Sequence, residues 1–435
     1  MKKFAVLALA AAACSDPVTL TPPPLNTFYY PTGLAVRRLP DGRRALLAVS
    51  SNFDLRYDPE LGGTVIAADP DASGDLLAGQ TDLAVLGAVA VGTFGGEVAL
   101  ADETSCPGRL PAGAAKVVTA TRFNRHLYSL DMDAAGALAC GEGCSVALDN
   151  ELFWDPYGVT VVCRDAGGPS VAAYVTFMNS RDWLGWLAEV DLGALPLVSQ
   201  LLQLDYGTTY TSAYHAATRR LFVTLDSIGW GTDPLRWVGL GAAPYSTGTV
   251  NLYPLVGGSI SRDLAISNDG TRLYQVLNIY DQAQAAKDGL IVVGGTELAV
   301  LSLGQTASGA VEIRLLWLVP LGLGSGQVRV LPPRPGKRDL VAVTSPTSGQ
   351  LQIYDDEVGE VVRVFSRDPA SGLPVLGKQP FGLAVEAVEA ARCRSGAACD
   401  WLYVGSFADH WINIVEVDPQ NPSTASLVKR IGGPQ

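Results

Sequence analysis

The chain has 435 residues, of which 48% are hydrophobic and 17% are charged, and it contains 47 glycines and 27 prolines. This composition supplies ample material for a core and is typical of many short strands joined by turns, and it argues against a disordered chain, a coiled coil, collagen and a multi-span membrane protein. The formal net charge is −12, so we expect no nucleic-acid partner, because a phosphate-binding surface needs clustered positive charge.

The N-terminus has the pattern of an export signal. Residues 1–14 read MKKFAVLALAAAAC, with Lys2 and Lys3 before an apolar stretch of ten residues. That stretch is shorter than the roughly 20 residues that a membrane-spanning helix needs, so it predicts a signal peptide over 1–13. The alanines directly before Cys14 resemble the lipobox of bacterial lipoproteins. An ordinary signal peptide with an incidental cysteine is the alternative.

The lipobox resemblance implies lipid attachment at Cys14 and anchoring to a membrane through that lipid. Residues 14–27 would then be a tether, and its many prolines favour extended structure. Ser15 at the position after the lipidated cysteine implies sorting to the outer membrane. We therefore expect an outer-membrane lipoprotein of the cell envelope that faces the periplasm or the cell surface.

Six further cysteines fit an exported chain, in which an even number predicts disulfides. Cys393 and Cys399 would close a short loop, and we expect them to pair. The partners of the other four are left open by their spacing; these are Cys106, Cys140, Cys144 and Cys163. A zinc site built from those four thiolates is the alternative, although no CxxC pair is present.

The rest of the chain repeats a unit of an apolar strand, a polar turn, a second strand ending in Asn, Asp or Ser, and a third strand ending near Asp. Its copies lie at 30–69, 115–133, 155–191, 211–253, 262–303, 326–355 and 379–418. Asp41-Gly42 and Asp269-Gly270 have the residue types of tight hairpin turns. The second copy is weak, and in the fourth copy the third strand is expected at 248–253.

Repeated antiparallel units of this size are typical of β-propeller blades, which bury their two apolar faces by packing in a ring. Pro31-Thr32-Gly33-Leu34-Ala35 and Pro380-Phe381-Gly382-Leu383-Ala384, with Asn268-Asp269-Gly270, resemble the repeats of the YVTN-type or lactonase-like seven-bladed propellers. We therefore expect an all-β, seven-bladed β-propeller over 28–435. Six or eight blades remain possible from the irregular spacing.

Motifs of catalysis, metal binding or cofactor binding are sparse. The three histidines, His126, His215 and His410, form no HxH or HxxxH pair, and no GxSxG motif is present. Gly336-Lys337-Arg338 lacks the other residues of a phosphate-binding loop, and no EF-hand spacing occurs. We expect no metal site, no cofactor and no catalytic set that the sequence can identify.

Polar residues follow the second strand of most units, and a ring would bring them together at the mouth of its channel. The candidate mouth residues are Asn52, Asp54, Asn179, Asp182, Asp226, Asn278, Asp281, Asp409 and His410. They would form a polar, net acidic site for a cation, a sugar or a cationic peptide. The alternative is that these side chains bond nearby backbone amides and hold the turns.

Four tryptophans fall in or beside loops of the third and fourth units: Trp183, Trp186, Trp230 and Trp237. Aromatic side chains at a rim can stack on a carbohydrate or anchor a partner protein. Packing between blades is the alternative.

These patterns predict a monomeric envelope lipoprotein whose propeller is a binding or scaffolding module for a protein or glycan, rather than an enzyme. A lactonase-like hydrolase acting on a small sugar-derived ester is the alternative, with Asp409 and His410 as its only adjacent acid–base pair. A quinone-dependent redox protein is a third possibility, although the tryptophan-docking repeats associated with such propellers are not evident.

Overall fold

In the computed structural model, the described residues are 21–148, 150–164, 170–227, 232–241, 244–281, 293–305, 311–324 and 326–432. They form 29 strands in seven antiparallel sheets, each sheet built from consecutive strands of the chain. Each sheet is one blade of a seven-bladed β-propeller, as the repeats predict.

The strands of the first three blades are as follows. Blade 1 holds β1 (Pro31–Arg38), β2 (Arg44–Ser50), β3 (Gly63–Ala68) and β4 (Val85–Val91); blade 2 holds β5 (Gly95–Ala101), β6 (Ala115–Thr121), β7 (His126–Met132), β8 (Leu138–Ala139) and β9 (Ser145–Ala147); blade 3 holds β10 (Phe153–Cys163), β11 (Val171–Ser180), β12 (Leu184–Asp191) and β13 (Leu197–Tyr206). In blade 2 the two short strands β8 and β9 both pair with β7.

The strands of the last four blades follow the same order. Blade 4 holds β14 (Thr209–His215), β15 (Arg220–Leu225), β16 (Leu235–Gly239) and β17 (Ser246–Thr249); blade 5 holds β18 (Ser259–Ile266), β19 (Arg272–Tyr280), β20 (Val293–Gln305) and β21 (Val311–Pro320); blade 6 holds β22 (Val328–Val330), β23 (Leu340–Ser345), β24 (Gln350–Asp355) and β25 (Glu360–Phe365); blade 7 holds β26 (Pro380–Val388), β27 (Cys399–Ser406), β28 (Trp411–Val417) and β29 (Ser426–Gly432). A short helix, α1 (Tyr253–Val256), precedes blade 5. Single 3-10 turns cover Leu76–Ala78, Ala216–Thr218, Ala390–Arg392, Phe407–Asp409 and Pro422–Thr424.

The first strands of consecutive blades contact one another around the axis, and β26 contacts β1, so the ring closes. The core is divided into seven clusters of buried apolar side chains, and each cluster lies between two neighbouring blades. Each blade therefore buries both faces against its neighbours. This is the arrangement that burial of apolar area requires of small two-faced sheets.

The first strands of blades 1, 3 and 7 each have a glycine near their start. The close approach of neighbouring inner strands explains why glycine recurs at this position. A Cβ atom on Gly33 would lie 2.7 Å from the carbonyl oxygen of Gly96 in the next blade, and one on Gly382 would lie 2.6 Å from the oxygen of Thr32. Gly158 meets the oxygen of Tyr210 in the same way, at 2.4 Å. Any side chain here would push the inner strands apart and widen the channel.

Blades 7 and 1 share no strand in the described sheets, and contacts that involve side chains hold them together. The Arg44 side chain is 2% exposed and forms an ion pair with Glu386 at 2.7 Å. Its guanidinium also lies 5.1 Å from the centroid of the Trp401 ring. Lys429 Nζ donates to the Pro70 carbonyl at 2.7 Å. Phe28 is fully buried in the apolar cluster between these two blades.

The prediction of a third strand at 248–253 in the fourth unit is wrong. The third strand is Leu235–Gly239, and Ser246–Thr249 is the fourth strand at the outer edge of the blade. The prediction for the second copy, 115–133, also omitted the first strand of its blade, Gly95–Ala101. The two glycines that begin this strand are typical of a turn. Outer strands are half exposed, so their apolar pattern is weak; Leu197–Tyr206 has this character.

The disulfide Cys393–Cys399 is confirmed, with a Cα–Cα distance of 6.0 Å. The pairings that the sequence left open are Cys106–Cys163 and Cys140–Cys144, with Cα–Cα distances of 5.4 and 5.3 Å. The zinc alternative is therefore wrong, because its four sulfurs are bonded in pairs. The turn glycines Gly42 and Gly270 have φ of 85° and 71°, as tight hairpins require. In the described part of the chain, no helix has the length and apolarity to cross a bilayer.

Candidate functional site

A cavity of about 470 Å³ opens at the end of the ring where the first strands begin. We call it the mouth cavity, and we call that end of the ring the mouth face. All seven blades contribute to its wall. The lining residues include Thr32, Phe53, Phe94, Arg122, Tyr157, Met178, Tyr210, Arg262, Asn278, Pro346, Thr347, Gln379, Phe381 and Phe407.

One side of the mouth cavity is bordered by a continuous arc of aromatic rings from blades 7, 1 and 2. Phe407 lies 5.1 Å from Tyr30 and 5.2 Å from Phe53, measured between ring centroids. Phe53 lies 5.7 Å from Phe94, which lies 6.3 Å from Phe123. We call these five residues the aromatic arc. Because the Phe53 side chain is 56% exposed, the arc offers ring faces to a ligand.

Two arginines line other parts of the same cavity. Arg122 forms an ion pair with Asp155 at 3.2 Å. The Arg262 guanidinium lies 4.6 Å from the centroid of the Tyr210 ring, and within the described ranges no carboxylate lies within ion-pair distance of it. Among the described lining residues there is no Asp, Glu or His. The cavity wall is therefore aromatic and cationic.

Beneath the cavity, charged side chains from blades 2, 5 and 6 meet on the axis. Arg329 Nη1 lies 2.7 Å from Asp263 Oδ2, and Arg329 Nη2 lies 3.7 Å from Glu97 Oε1. Thr211 Oγ1 donates to Glu97 Oε2 at 3.2 Å, and Gln327 Nε2 donates to Glu97 Oε1 at 3.4 Å. We call these five residues the axial cluster. It ties the first strands of blades 2, 4, 5 and 6 together across the channel.

The two carboxyls of the axial cluster share one arginine in a buried place. Burial, with a smaller contribution from the neighbouring Asp263, raises the pKa of Glu97 to about 7. Burial also raises the pKa of Asp263, although the Val328 and Leu264 N–H groups donate to its carboxylate at 2.8 Å. Burial therefore makes the Glu97 carboxyl hold its proton more strongly than an exposed glutamate does.

Of the nine residues predicted at the mouth, Asn278 lines the mouth cavity. Asn52 is fully buried in its turn, where its amide accepts from the Tyr57 N–H and donates to the Tyr57 carbonyl, both at 3.2 Å. Asp182 accepts from the Leu184 N–H at 3.2 Å. These are the contacts that the turn alternative describes.

Asp54 and Asn179 have side-chain partners beside the cavity. Asp54 forms an ion pair with Arg56 at 3.2 Å. The Asn179 amide donates to the carboxylate of Asp155, which also holds Arg122. Asn179 thus positions an arginine of the cavity through one intermediate, without lining the cavity in the part of the chain described.

Asp409 and His410 do not bond to each other. The Asp409 carboxylate accepts from the Lys378 N–H, and His410 Nδ1 accepts from the Tyr30 N–H at 3.0 Å. Burial lowers the pKa of His410. His410 therefore helps to hold the N-terminal segment between blades 7 and 1.

Asp226 and Asp281 lie on the mouth face at blades 4 and 5. The Asp226 carboxylate helps to raise the pKa values of Tyr210 and Tyr280, so its charge reaches the edge of the cavity. Asp281 follows the end of β19 and is exposed. Whether any of the nine residues binds a ligand stays a prediction.

The predicted tryptophans divide between the two interpretations. Trp183 is 58% exposed on the mouth face of blade 3. Trp186 is buried and lies 5.1 Å from Phe153, so it packs between blades 2 and 3. Trp237 stacks under Arg220 at 4.0 Å on the outer part of blade 4. Trp230 lies outside the described residues.

Sequence reasoning missed the residues that line the cavity most directly. Thr32, Tyr157 and Phe381 each stand immediately before a glycine at the start of a first strand and line the cavity. The residue that precedes this repeated glycine could therefore have been used to predict part of the cavity wall from the sequence. Arg122 and Arg262 carried no such signal, because each lies at a different place in its blade.

The fold is shared with many solved structures, although no protein-family model and no curated protein matches the sequence. A protein from Lactobacillus plantarum is 17% identical, with a TM-score of 0.51 over 81% of this chain and 86% of that one. A functionally unknown protein from Desulfotomaculum acetoxidans is 12% identical, with a TM-score of 0.52 over 85% and 92%.

A putative 6-phosphogluconolactonase from Bacteroides uniformis is also similar, at 15% identity and a TM-score of 0.48 over 80% of this chain and 86% of that one. At such identities the comparisons define the fold alone. The chain is a seven-bladed β-propeller, and solved structures of proteins with unrelated sequences share this fold.

Proposed function

We propose that this protein is a recognition module whose mouth cavity binds an acidic sugar unit of a glycan. The observation that carries this proposal is a cavity of about 470 Å³ bordered by the aromatic arc and also lined by Arg122 and Arg262. This volume lies within the range of roughly 300–1,000 Å³ that is usual for small-molecule sites.

Each part of the wall fits one part of such a ligand. Sugar rings have apolar C–H faces that pack on aromatic rings, and Phe53 and Phe407 offer such rings at the cavity. The carboxylate of an acidic sugar can accept paired hydrogen bonds from a guanidinium, and Arg262 has no ion-pair partner among the described residues. A neutral glycan would leave that charge without a counterion.

The hydrolase alternative has less support. Its only adjacent acid–base pair, Asp409 and His410, accepts backbone N–H groups and does not line the described wall of the cavity. Among the described lining residues no carboxyl or imidazole is available to move a proton. A segment of a partner protein that presents an acidic side chain beside an aromatic one is the competing ligand.

Binding is tested by calorimetry on residues 21–435, with a uronate-containing oligosaccharide and its neutral counterpart as ligands. We expect the acidic oligosaccharide to bind and the neutral one to bind at least tenfold more weakly. Arg262→Gln should weaken binding of the acidic oligosaccharide at least tenfold. Phe53→Ala should weaken binding of both the acidic and the neutral oligosaccharide. Arg181→Gln is the matched control, because Arg181 is an exposed cation of the same face that does not line the cavity.

Equal affinity for the two oligosaccharides, or an unchanged affinity in Arg262→Gln, would contradict the assignment. Binding of acidic peptides in place of both oligosaccharides, with the same dependence on Arg262, would favour a protein ligand.

We further propose that the module is lipid-anchored at Cys14 and carried in the outer membrane. The supporting observation is the lipobox-like sequence before Cys14, which is followed by a proline-rich segment. Metabolic labelling with a fatty-acid analogue should mark the protein, and Cys14→Ser should lose both the label and the membrane association. Membrane fractionation on a sucrose gradient then tests the outer-membrane assignment.

A further inference from the structure

The N-terminal segment joins the ring on its mouth face. The Thr21 carbonyl accepts from the Asp58 N–H at 3.1 Å, in the loop between β2 and β3. The Tyr29 N–H donates to Ser50 Oγ at 3.2 Å, at the end of β2. Since β2 ends and β3 begins at the mouth face, the chain that leads to the anchor leaves the ring there.

We propose that the mouth face of the anchored protein lies against a lipid surface, with the mouth cavity opening toward the membrane. The inference rests on the proposed lipid anchor at Cys14. It adds an orientation and a partner surface that the proposed recognition function does not require.

The predicted tether is 14–27, but Thr21 already bonds to the ring, so only the stretch from Cys14 to Thr21 sets the distance from the anchor to the ring. Seven residue steps separate Cys14 from Thr21, and a fully extended chain covers at most about 25 Å over that length. A first strand such as β1, with its eight residues, is itself about 25 Å long, and the loops add to this height. The tether is therefore too short to bring the opposite face to the membrane. Only the mouth face or the outer edge of blade 1 can approach it.

The exposed aromatic residues distinguish these two orientations. In the described part of the chain, all four aromatic side chains among the exposed large hydrophobics lie on the mouth face: Phe53, Phe123, Trp183 and Tyr206, which are 56%, 42%, 58% and 48% exposed. They come from blades 1, 2 and 3. Aromatic side chains with a polar tip are favoured at the boundary between lipid and water.

Exposed aliphatic residues continue this ring around the mouth face. They are Leu61, Leu152, Leu255, Leu323 and Leu373, each at least 41% exposed, in the loops of blades 1 to 7. Side chains spread over the loops of several blades at one end of the ring fit a flat lipid surface better than a single compact partner. If the molecule lay edge-on, only the exposed apolar side chains of blade 1 would reach the membrane.

The charge of the chain indicates the kind of lipid. With a net charge of −12, the protein is repelled by anionic headgroups, so a zwitterionic surface is the fitting one. A ligand of the mouth cavity would then be carried on the membrane or enter through the gap beneath the ring.

Orientation is measured by energy transfer from a dye on the lipidated full chain to acceptor lipids in phosphatidylcholine vesicles. The six described cysteines are paired in disulfides, so an introduced cysteine is labelled selectively. Leu255→Cys places the dye on the mouth face across the ring from blade 1, and Lys337→Cys places it in the exposed β22–β23 loop on the opposite face. Glu60→Cys marks the mouth face beside the tether.

We expect transfer from positions 60 and 255 to be at least twice that from position 337. Efficient transfer from position 60 alone would show an edge-on molecule and overturn the proposal. If the full chain does not float with the vesicles, the lipid anchor fails and this inference fails with it. If it floats with the order of the labels reversed, only the orientation is wrong.

The part played by the exposed side chains is tested in the same vesicles. The double variant Phe123→Ser, Trp183→Ser should reduce the difference in energy-transfer efficiency between dyes at positions 255 and 337, because the mouth face then loses part of its apolar contact with the lipid. Leu195→Ser with Leu197→Ser is the matched control on the opposite face, where both leucines are more than half exposed. An equal effect of the two double variants would contradict contact between the mouth face and the lipid.

Discussion

At the scale of single residues, the axial cluster holds a carboxyl group, that of Glu97, whose pKa is raised to about 7 by burial. Glu97 is 6% exposed, and the Arg329 guanidinium that faces it at 3.7 Å is shared with Asp263 at 2.7 Å. One arginine cannot fully compensate two buried carboxylates, so the fold favours a proton on the pair. The hydrogen bonds from Thr211 and Gln327 fix Glu97 in this position.

The first prediction concerns the pH dependence of stability. The pKa of Glu97 is raised to about 7 in the fold, whereas an unfolded chain releases the same proton near pH 4.5. Between these values the fold holds more protons than the unfolded chain, so its stability falls as pH rises, by about 1–3 kcal/mol from this group. Glu97→Gln should reduce the fall between pH 5 and pH 8 by that amount in urea denaturation.

The matched control for this prediction is Glu360→Gln, which changes an exposed carboxylate at the start of β25. This substitution should leave the pH dependence of the free energy of unfolding unchanged. If Glu97→Gln has the same slope as the control, the axial cluster does not hold a proton at neutral pH.

At the scale of elements, the disulfides differ in what they connect. Cys106 lies in the long loop between β5 and β6 of blade 2, and Cys163 ends β10, the first strand of blade 3. This bridge therefore joins two blades that also meet through apolar contacts and through the Arg122–Asp155 ion pair. Cys140–Cys144 closes a loop within blade 2, between the short strands β8 and β9.

The second prediction follows from the lengths of the closed loops. The Cys106–Cys163 bridge spans 57 residues and Cys140–Cys144 spans 4. Chain entropy then gives a stabilisation of about 4 kcal/mol for the first and about 2 kcal/mol for the second. Replacing each pair by alanines and measuring the free energy of unfolding should give the larger loss for Cys106–Cys163. Because Cys106 is buried, its replacement also removes packing, which increases the loss for the first pair further. Equal losses for the two pairs would contradict the prediction.

At the scale of the whole molecule, closure of the ring rests on the contact between blades 7 and 1. Phe28, Leu46 and Ile66 are fully buried there against blade 7. Blade 6 likewise buries one face against blade 7. Without blade 7, two apolar sheet faces would be open to water, and among the described elements none outside blade 7 is positioned to cover them.

The third prediction is that a chain ending after residue 366 does not fold cooperatively. It should bind a hydrophobic dye, aggregate and lack a single thermal transition in calorimetry, because the exposed faces of blades 1 and 6 are unfavourable in water. The control is removal of residues 1–20, which comprise the predicted signal peptide and the first part of the predicted tether, and it should keep the transition of the parent chain. A single unchanged transition in the six-blade chain would show that ring closure is dispensable.

The repeat of short apolar strands and turns is sufficient to predict the architecture from the sequence, because blades use the same local pattern in every copy. The loop formed by Cys393 and Cys399 was also evident, since six residues separate them and a short loop restricts the choice of partner. Outer strands such as β17 were not found correctly, because exposure on one side weakens their pattern.

Only the tertiary structure decided what the mouth is made of. Arg122 and Arg262 are far apart in the chain and follow no repeat, yet ring closure brings both to the cavity. Asn52 has the position predicted for a mouth residue, but its amide is used by its own turn. A local pattern specifies strands and turns because these depend on neighbours in the chain. The chemistry of a channel depends on side chains that meet only after seven sheets have closed around an axis.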